Sequence, residues 1–74
     1  MTPYEELLRK TDPKGYYVIP VRPGGSRVQV EEAARLHGAL VEDAGDVMIL
    51  RVRGRSRAKR LIAALARLGV DIGP

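Results

Sequence analysis

From residue 39 to residue 53, apolar and polar side chains alternate with the period of two that marks a half-buried strand. Ala39, Val41, Met48, Leu50 and Val52 fall on one face, and Leu40, Glu42, Val47, Ile49, Arg51 and Arg53 on the other. The pattern predicts a hairpin of Ala39–Asp43 with Asp46–Arg53, turning at Ala44-Gly45, with Val41 opposite Met48 and Glu42 opposite Val47. Upstream, Tyr16 to Arg22 reads as a strand that Pro23-Gly24-Gly25 ends. Pro20 has no N–H for a ladder, which predicts an edge position or a bulge.

Elsewhere the period shifts to 3.6. Tyr4, Leu7 and Leu8 share one face of a short helix over Pro3 to Lys10, with Thr2 as its cap and Glu5 and Glu6 in its first turn. Asp12-Pro13-Lys14-Gly15 is a turn. Val30, Ala33, Ala34 and His37 form the apolar stripe of a second helix, with Ser26 and Gln29 as a capping box and Gly38 as its stop. The alternative at the helix start is that Val28 and Val30 extend the strand. Ala58, Leu61, Ile62, Leu65 and Leu68 line a last helix that Ser56 caps and Gly69 ends, with Arg57, Arg60 and Arg67 on its other side. Val70-Asp71-Ile72 has the makings of a short final strand. The expected fold is α+β: a ferredoxin-like split β-α-β sandwich of order β-α-β-β-α, closed by that strand. The N-terminal helix occupies residues 1–12 and the core 16–73 of one domain. The half-apolar second face of the hairpin needs a cover, either the leading helix or a second copy.

Seventy-four residues form one domain near the lower limit for a self-sufficient core. With no cysteine, disulfides and thiolate metal sites are excluded. Oligomerisation is the common remaining support, so a homodimer or a place in a larger assembly is expected. No apolar run approaches the ~20 residues that span a bilayer, and the N-terminus lacks a signal pattern, so the expectation is a cytoplasmic protein with no membrane partner. Arginine outnumbers lysine ten to three, a bias that suits a thermophile or a GC-rich genome.

Charge changes this picture. The net +4 is unevenly placed: residues 31–46 hold five acids against Arg35, while residues 51–67 hold seven bases and no acid. Six of the ten residues from 51 to 60 are basic: Arg51, Arg53, Arg55, Arg57, Lys59 and Arg60. Positive charge at a helix start opposes the macrodipole, at a cost of ~0.3–1 kcal/mol per group. A bound anion would account for it, because free N–H groups at a helix start attract phosphate. The competing reading is a solvated surface partly neutralised by Glu42, Asp43 and Asp46. Of Tyr16 and Tyr17, one must face outward, where it could stack a base for ~1–3 kcal/mol. If Tyr17, Ile19 and Val21 point inward, Tyr16, Val18 and Arg22 share the outer face with Arg51 and Arg53.

Catalytic chemistry finds little support. His37 is the lone histidine, at a helix end where its cationic form is at home. No Ser or Cys near it suggests a nucleophile. Glu42, Asp43 and Asp46 lack calcium-loop spacing, and Pro23-Gly24-Gly25-Ser26-Arg27 lacks the phosphate-loop lysine. The chain is therefore expected not to be an enzyme and to carry neither cofactor nor metal.

In outline, strand, helix, hairpin, helix and short strand, opened by Tyr17-Val18-Ile19-Pro20-Val21 and closed by Ser56 to Gly73, resembles the RNA-recognition motif. The resemblance covers residues 16–73 and implies single-stranded RNA stacked on the sheet, with the stacking aromatic at Tyr17. The segment Asp46 to Arg53, where that family carries a Gly/aromatic octamer, contains neither residue type. Together these features lead to the expectation of a small nucleic-acid-binding protein. RNA is favoured over DNA, and contacts run mainly to phosphate through residues 51–60, with Tyr16, Tyr17 and Arg22 nearby. The alternative is a non-enzymatic homodimeric or assembly module.

Overall fold

The computed structural model describes residues 3–73. Four strands, β1 (Tyr16–Arg22), β2 (Leu40–Ala44), β3 (Val47–Arg53) and β4 (Asp71–Ile72), form one antiparallel sheet in the order β2-β3-β1-β4. Two helices, α1 (Arg27–Leu36) and α2 (Arg55–Arg67), connect them. β1 and β2 run parallel with β3 between them, and β3 and β4 run parallel with β1 between them. Two interlocked split β-α-β units result, the ferredoxin-like arrangement that the order of elements predicts.

The alternation along β1 and β3 sets the layers. Tyr17, Ile19 and Val21 sit opposite Val52, Leu50 and Met48, and all but Tyr17 are fully buried. Val30, Ala33 and Ala34 of α1 and Ala58, Leu61, Ile62 and Leu65 of α2 complete this core from one side. Both helices therefore cover the same face of the sheet. α1 ends in a Schellman motif: Ala39 N–H donates to the Ala34 carbonyl at 2.8 Å and Gly38 N–H to that of Arg35 at 3.1 Å, with Gly38 at φ 67°.

Several expectations need correction. The hairpin turns at Gly45-Asp46, one residue later than Ala44-Gly45, so Val41 pairs with Leu50 and Glu42 with Ile49. The Asp43 carboxylate accepts the Gly45 N–H at 3.0 Å, and Gly45 at φ 81° takes the turn position that favours glycine. A one-residue move of the loop shifts the register by two, so every side chain keeps its face. Ser26 makes no cap hydrogen bond, because a 3-10 turn over Gly24–Ser26 feeds straight into α1. Val28 and Val30 are helical. α2 begins earlier than expected, with Gly54 at the cap position and Ser56 inside the first turn.

Pro20 lies in an interior strand, yet at an edge in effect. β4 pairs only with Val21 and Arg22, and the Pro20 carbonyl accepts the Gly73 N–H at 2.9 Å. In an antiparallel strand the N–H and C=O of one residue point the same way, so the missing donor faces the short β4 side and the β1–β3 ladder loses nothing.

The N-terminal segment forms a 3-10 helix over Pro3–Leu8, and the Thr2 cap lies outside the described residues. It packs against β1 and α2, with Leu8 in the core and Tyr4 and Leu7 against it. It does not spread over the outer sheet face, which no element covers among the described residues. Also among these, no helix is long and apolar enough to cross a membrane.

Burial separates structural from surface leucines. Leu50→Ala should cost ~2–5 kcal/mol in a urea melt, through lost burial and the cavity left behind. Leu36→Ala, at a site 84% exposed, should change stability by less than ~0.5 kcal/mol. Equal costs at the two sites would contradict the assignment of the core.

Candidate functional site

The basic segment begins as strand and ends as helix, and this change divides its side chains. Arg51 and Arg53 occupy alternate positions of β3 and so lie on the outer face, across from Val18 and Tyr16 of β1. Arg55, Arg57, Lys59 and Arg60 follow the helical path of α2, on the side of the domain that the helices cover. Gly54 makes the corner at φ 91° and ψ 125°, backbone angles that only glycine adopts without strain.

Each cation has a distinct setting. Arg51 ion-pairs with Glu42 at 2.7 Å, diagonally across the hairpin. The Arg53 guanidinium lies over the Tyr16 ring, 4.6 Å from its centroid, and donates to the Lys14 carbonyl at 3.3 Å. Arg55 donates to the Leu8 carbonyl at 2.6 Å and thereby ties the N-terminal 3-10 helix to the start of α2. The Arg57 guanidinium lies against Gly38, so close that a Cβ there would meet its Nη1 at 3.3 Å. Among the described residues, only Arg51 of the six is paired with a carboxylate.

The side chains do not form a single cluster. Arg53, Arg55, Arg57 and Arg60 line one open depression together with Gly54 and Ser56. Lys59 is exposed but does not line it. A second hollow, on the outer sheet face, is lined by Tyr16, Arg51, Arg53 and Lys14 together with Leu40, Glu42 and Asp12. Arg53 borders both. Tyr16 is held in place from behind: the Asp12 carboxylate accepts the N–H groups of Lys14 and Tyr16 at 2.9 and 2.8 Å, and the Asp12 N–H donates to the Tyr16 carbonyl at 2.8 Å.

Two nominated residues fall elsewhere. Tyr17 packs against the core, because it shares the phase of Ile19 and Val21, so the stacking role that the RNA-recognition-motif resemblance gives it does not fit its placement. Arg22 sits at the opposite end of β1, beside Asp71 at 3.7 Å, remote from the basic corner. Arg27 was not foreseen at all. It pairs with Asp43 at 2.8 Å and donates to the Gly45 carbonyl at 2.6 Å, fastening the start of α1 to the hairpin turn. No local sequence signal announces a contact over 18 residues.

The first turn of α2 is the most distinctive local feature. It has no acidic residue and no side-chain cap. Ala58 N–H, bonded to the Gly54 carbonyl at 3.0 Å, is the first amide with an intrahelical partner, so those of Arg55, Ser56 and Arg57 have none within the helix. The positive end of the helix dipole thus opens into a depression that four arginines border, although their guanidinium groups point to different partners. No protein-family model, curated protein or solved structure matches the chain.

Strain, rather than a clash, makes Gly54 hard to replace: an added Cβ would meet only Arg57 Cβ, at 3.9 Å. Gly54→Ala should therefore destabilise the fold by ~1–3 kcal/mol. A denaturant midpoint unchanged from the parent would show that the corner tolerates another conformation.

Proposed function

We propose that the chain binds nucleic acid by its phosphates at the corner between β3 and α2. RNA is the favoured form. The observation that carries this reading is the ring of Arg53, Arg55, Arg57 and Arg60 around an uncapped, acid-free helix start. A phosphate oxygen placed there meets unpaired N–H donors, a favourable dipole and forked guanidinium donors together. No solvation argument requires cations at this end of a helix, where they repel the dipole.

The contacts have different parts in this reading. Arg57 and Arg60, free of ion pairs among the described residues, can reorient toward a strand at little cost. Arg55 already spends one donor on the Leu8 carbonyl, and its remaining N–H groups suit a bound phosphate. Arg53 links the corner to the Tyr16 ring, so a base next to the bound phosphate can stack at the end of the sheet. Tyr16 takes the role that the family resemblance would give to Tyr17. Arg51, neutralised by Glu42, contributes little, and Arg22 contributes nothing at this distance. A depression so open, where the Ser56 hydroxyl has no general base lining the site beside it, suits binding rather than turnover.

Affinity for a short single-stranded RNA should fall steeply with salt, because each neutralised phosphate releases counterions. Replacing Arg55, Arg57 and Arg60 together by Ala should remove roughly two units of the log–log salt slope, at ~0.7 per lost contact on single strands. Fluorescence anisotropy across a salt series measures this. A triple variant with the parent's affinity and slope would refute the reading.

A further inference from the structure

Ser56 is the one serine or threonine that lines the basic depression. It is exposed in the first turn of α2, and its hydroxyl has no hydrogen-bond partner among the described residues. Arg53 stands three positions ahead of it, Arg55 one ahead and Arg57 one behind. Helical spacing adds two more cations. Residues three and four apart stand side by side on a helix, so Lys59 and Arg60 lie one turn beyond Ser56 on the same side of α2. Both are exposed, and neither pairs with a carboxylate among the described residues. Other hydroxyls have different surroundings: Thr11 has Leu8 three positions ahead, and Ser26 follows Pro23-Gly24-Gly25.

We infer that Ser56 is a phosphorylation site. The flanking arginines present its hydroxyl to a protein kinase with an acidic substrate groove, and the same cations then hold the product phosphate within the chain. In the transfer, the Ser56 Oγ attacks the γ-phosphorus of ATP. The Oγ–P bond forms while the bond from that phosphorus to the β-phosphate oxygen breaks. ADP leaves, and the hydroxyl proton passes to the kinase's carboxylate base. The depression lines no base of its own, so the enzyme supplies it.

Phosphoserine carries about −1.5 to −2 charges at pH 7 and three strong acceptor oxygens. At position 56 it precedes Arg60 by four residues, the favourable order for an acid and a base on a helix. It also gives the amides of the acid-free first turn, which lack intrahelical partners, the acceptor that no side chain provides. The modified chain is therefore the more stable one. Its phosphate fills the place of an RNA phosphate and cancels up to two of the positive charges there, so modification releases the nucleic acid. That consequence rests on the phosphate-binding role of the corner, whereas the modification and its stabilising effect do not.

Incubation of the chain with ATP and a serine/threonine kinase that selects arginine three residues ahead of its target should add a single phosphate. Peptide mass spectrometry should locate it at Ser56, and Ser56→Ala should take up none. The phosphorylated chain should melt ~2–6 °C higher than the parent, with a smaller rise in an Arg60→Ala background. It should bind a short single-stranded RNA at least ~10-fold more weakly at low salt. No transfer, or transfer to Thr11 or Ser26 instead, would overturn the inference. So would a phosphorylated chain that melts no higher than the parent, because the phosphate would then be held by nothing. A modified, stabilised chain with the parent's RNA affinity would overturn the switch. A chain that is modified and stabilised but binds no RNA in either form would uphold the site and refute nucleic-acid binding instead.

Discussion

Side-chain alternation along β3 governs most of what the molecule presents to solvent. Met48, Leu50 and Val52 are fully buried, so Arg51 and Arg53 must point to the other side of the sheet. The same strand runs into α2 across Gly54, where Ala58, Leu61, Ile62 and Leu65 take over the apolar duty on a helical period. Burial by two successive rhythms thus dictates where seven cations go. Moving any of them inward would strand a charge in a core that, among the described residues, contains no buried polar side chain.

That constraint also explains why the basic corner resists neutralisation. Three acids of the hairpin region are already committed or distant. Glu42 holds Arg51, Asp43 is shared between Arg27 and its own turn, and Asp46 lies at the opposite end of β3. Surface ion pairs of this kind contribute ~0–1 kcal/mol each, so they orient the hairpin more than they stabilise it. The acidic segment serves the hairpin, and the helix start of α2 keeps its positive field.

Much of the fold was legible because its signals are local. The alternation of β3, the stripes Val30–Ala33–Ala34 and Ala58–Leu61–Ile62–Leu65, and the glycine stops at Gly38 and Gly69 appear in the structure where the sequence places them, whereas Val41 of the exposed edge strand β2 and Leu68 at the end of α2 are not buried. Errors arose where two local signals competed. Ser56 resembles a cap, but Gly54 admits a conformation that starts the helix sooner. Ala44-Gly45 and Gly45-Asp46 are both plausible turns, and the Asp43 carboxylate decides between them. The candidate site was legible only in part. Its residues could be named from the charge run, and the phase of β1 correctly linked Tyr16 with Arg53. The contacts Arg55–Leu8, Arg57–Gly38 and Arg27–Gly45 join segments with no periodic relation, so no pattern could reveal them.

The account rests on the first-turn amides of α2 being available to an anion. Backbone NMR of the uniformly labelled chain, titrated at low salt with a short single-stranded RNA, examines those amides directly. The largest shifts are expected at Gly54, Arg55, Ser56 and Arg57, with the Tyr16 amide following and the exposed α2 residue Ala63 unmoved. Spectra that do not change, or shifts centred on α1 and the hairpin turn, would contradict it.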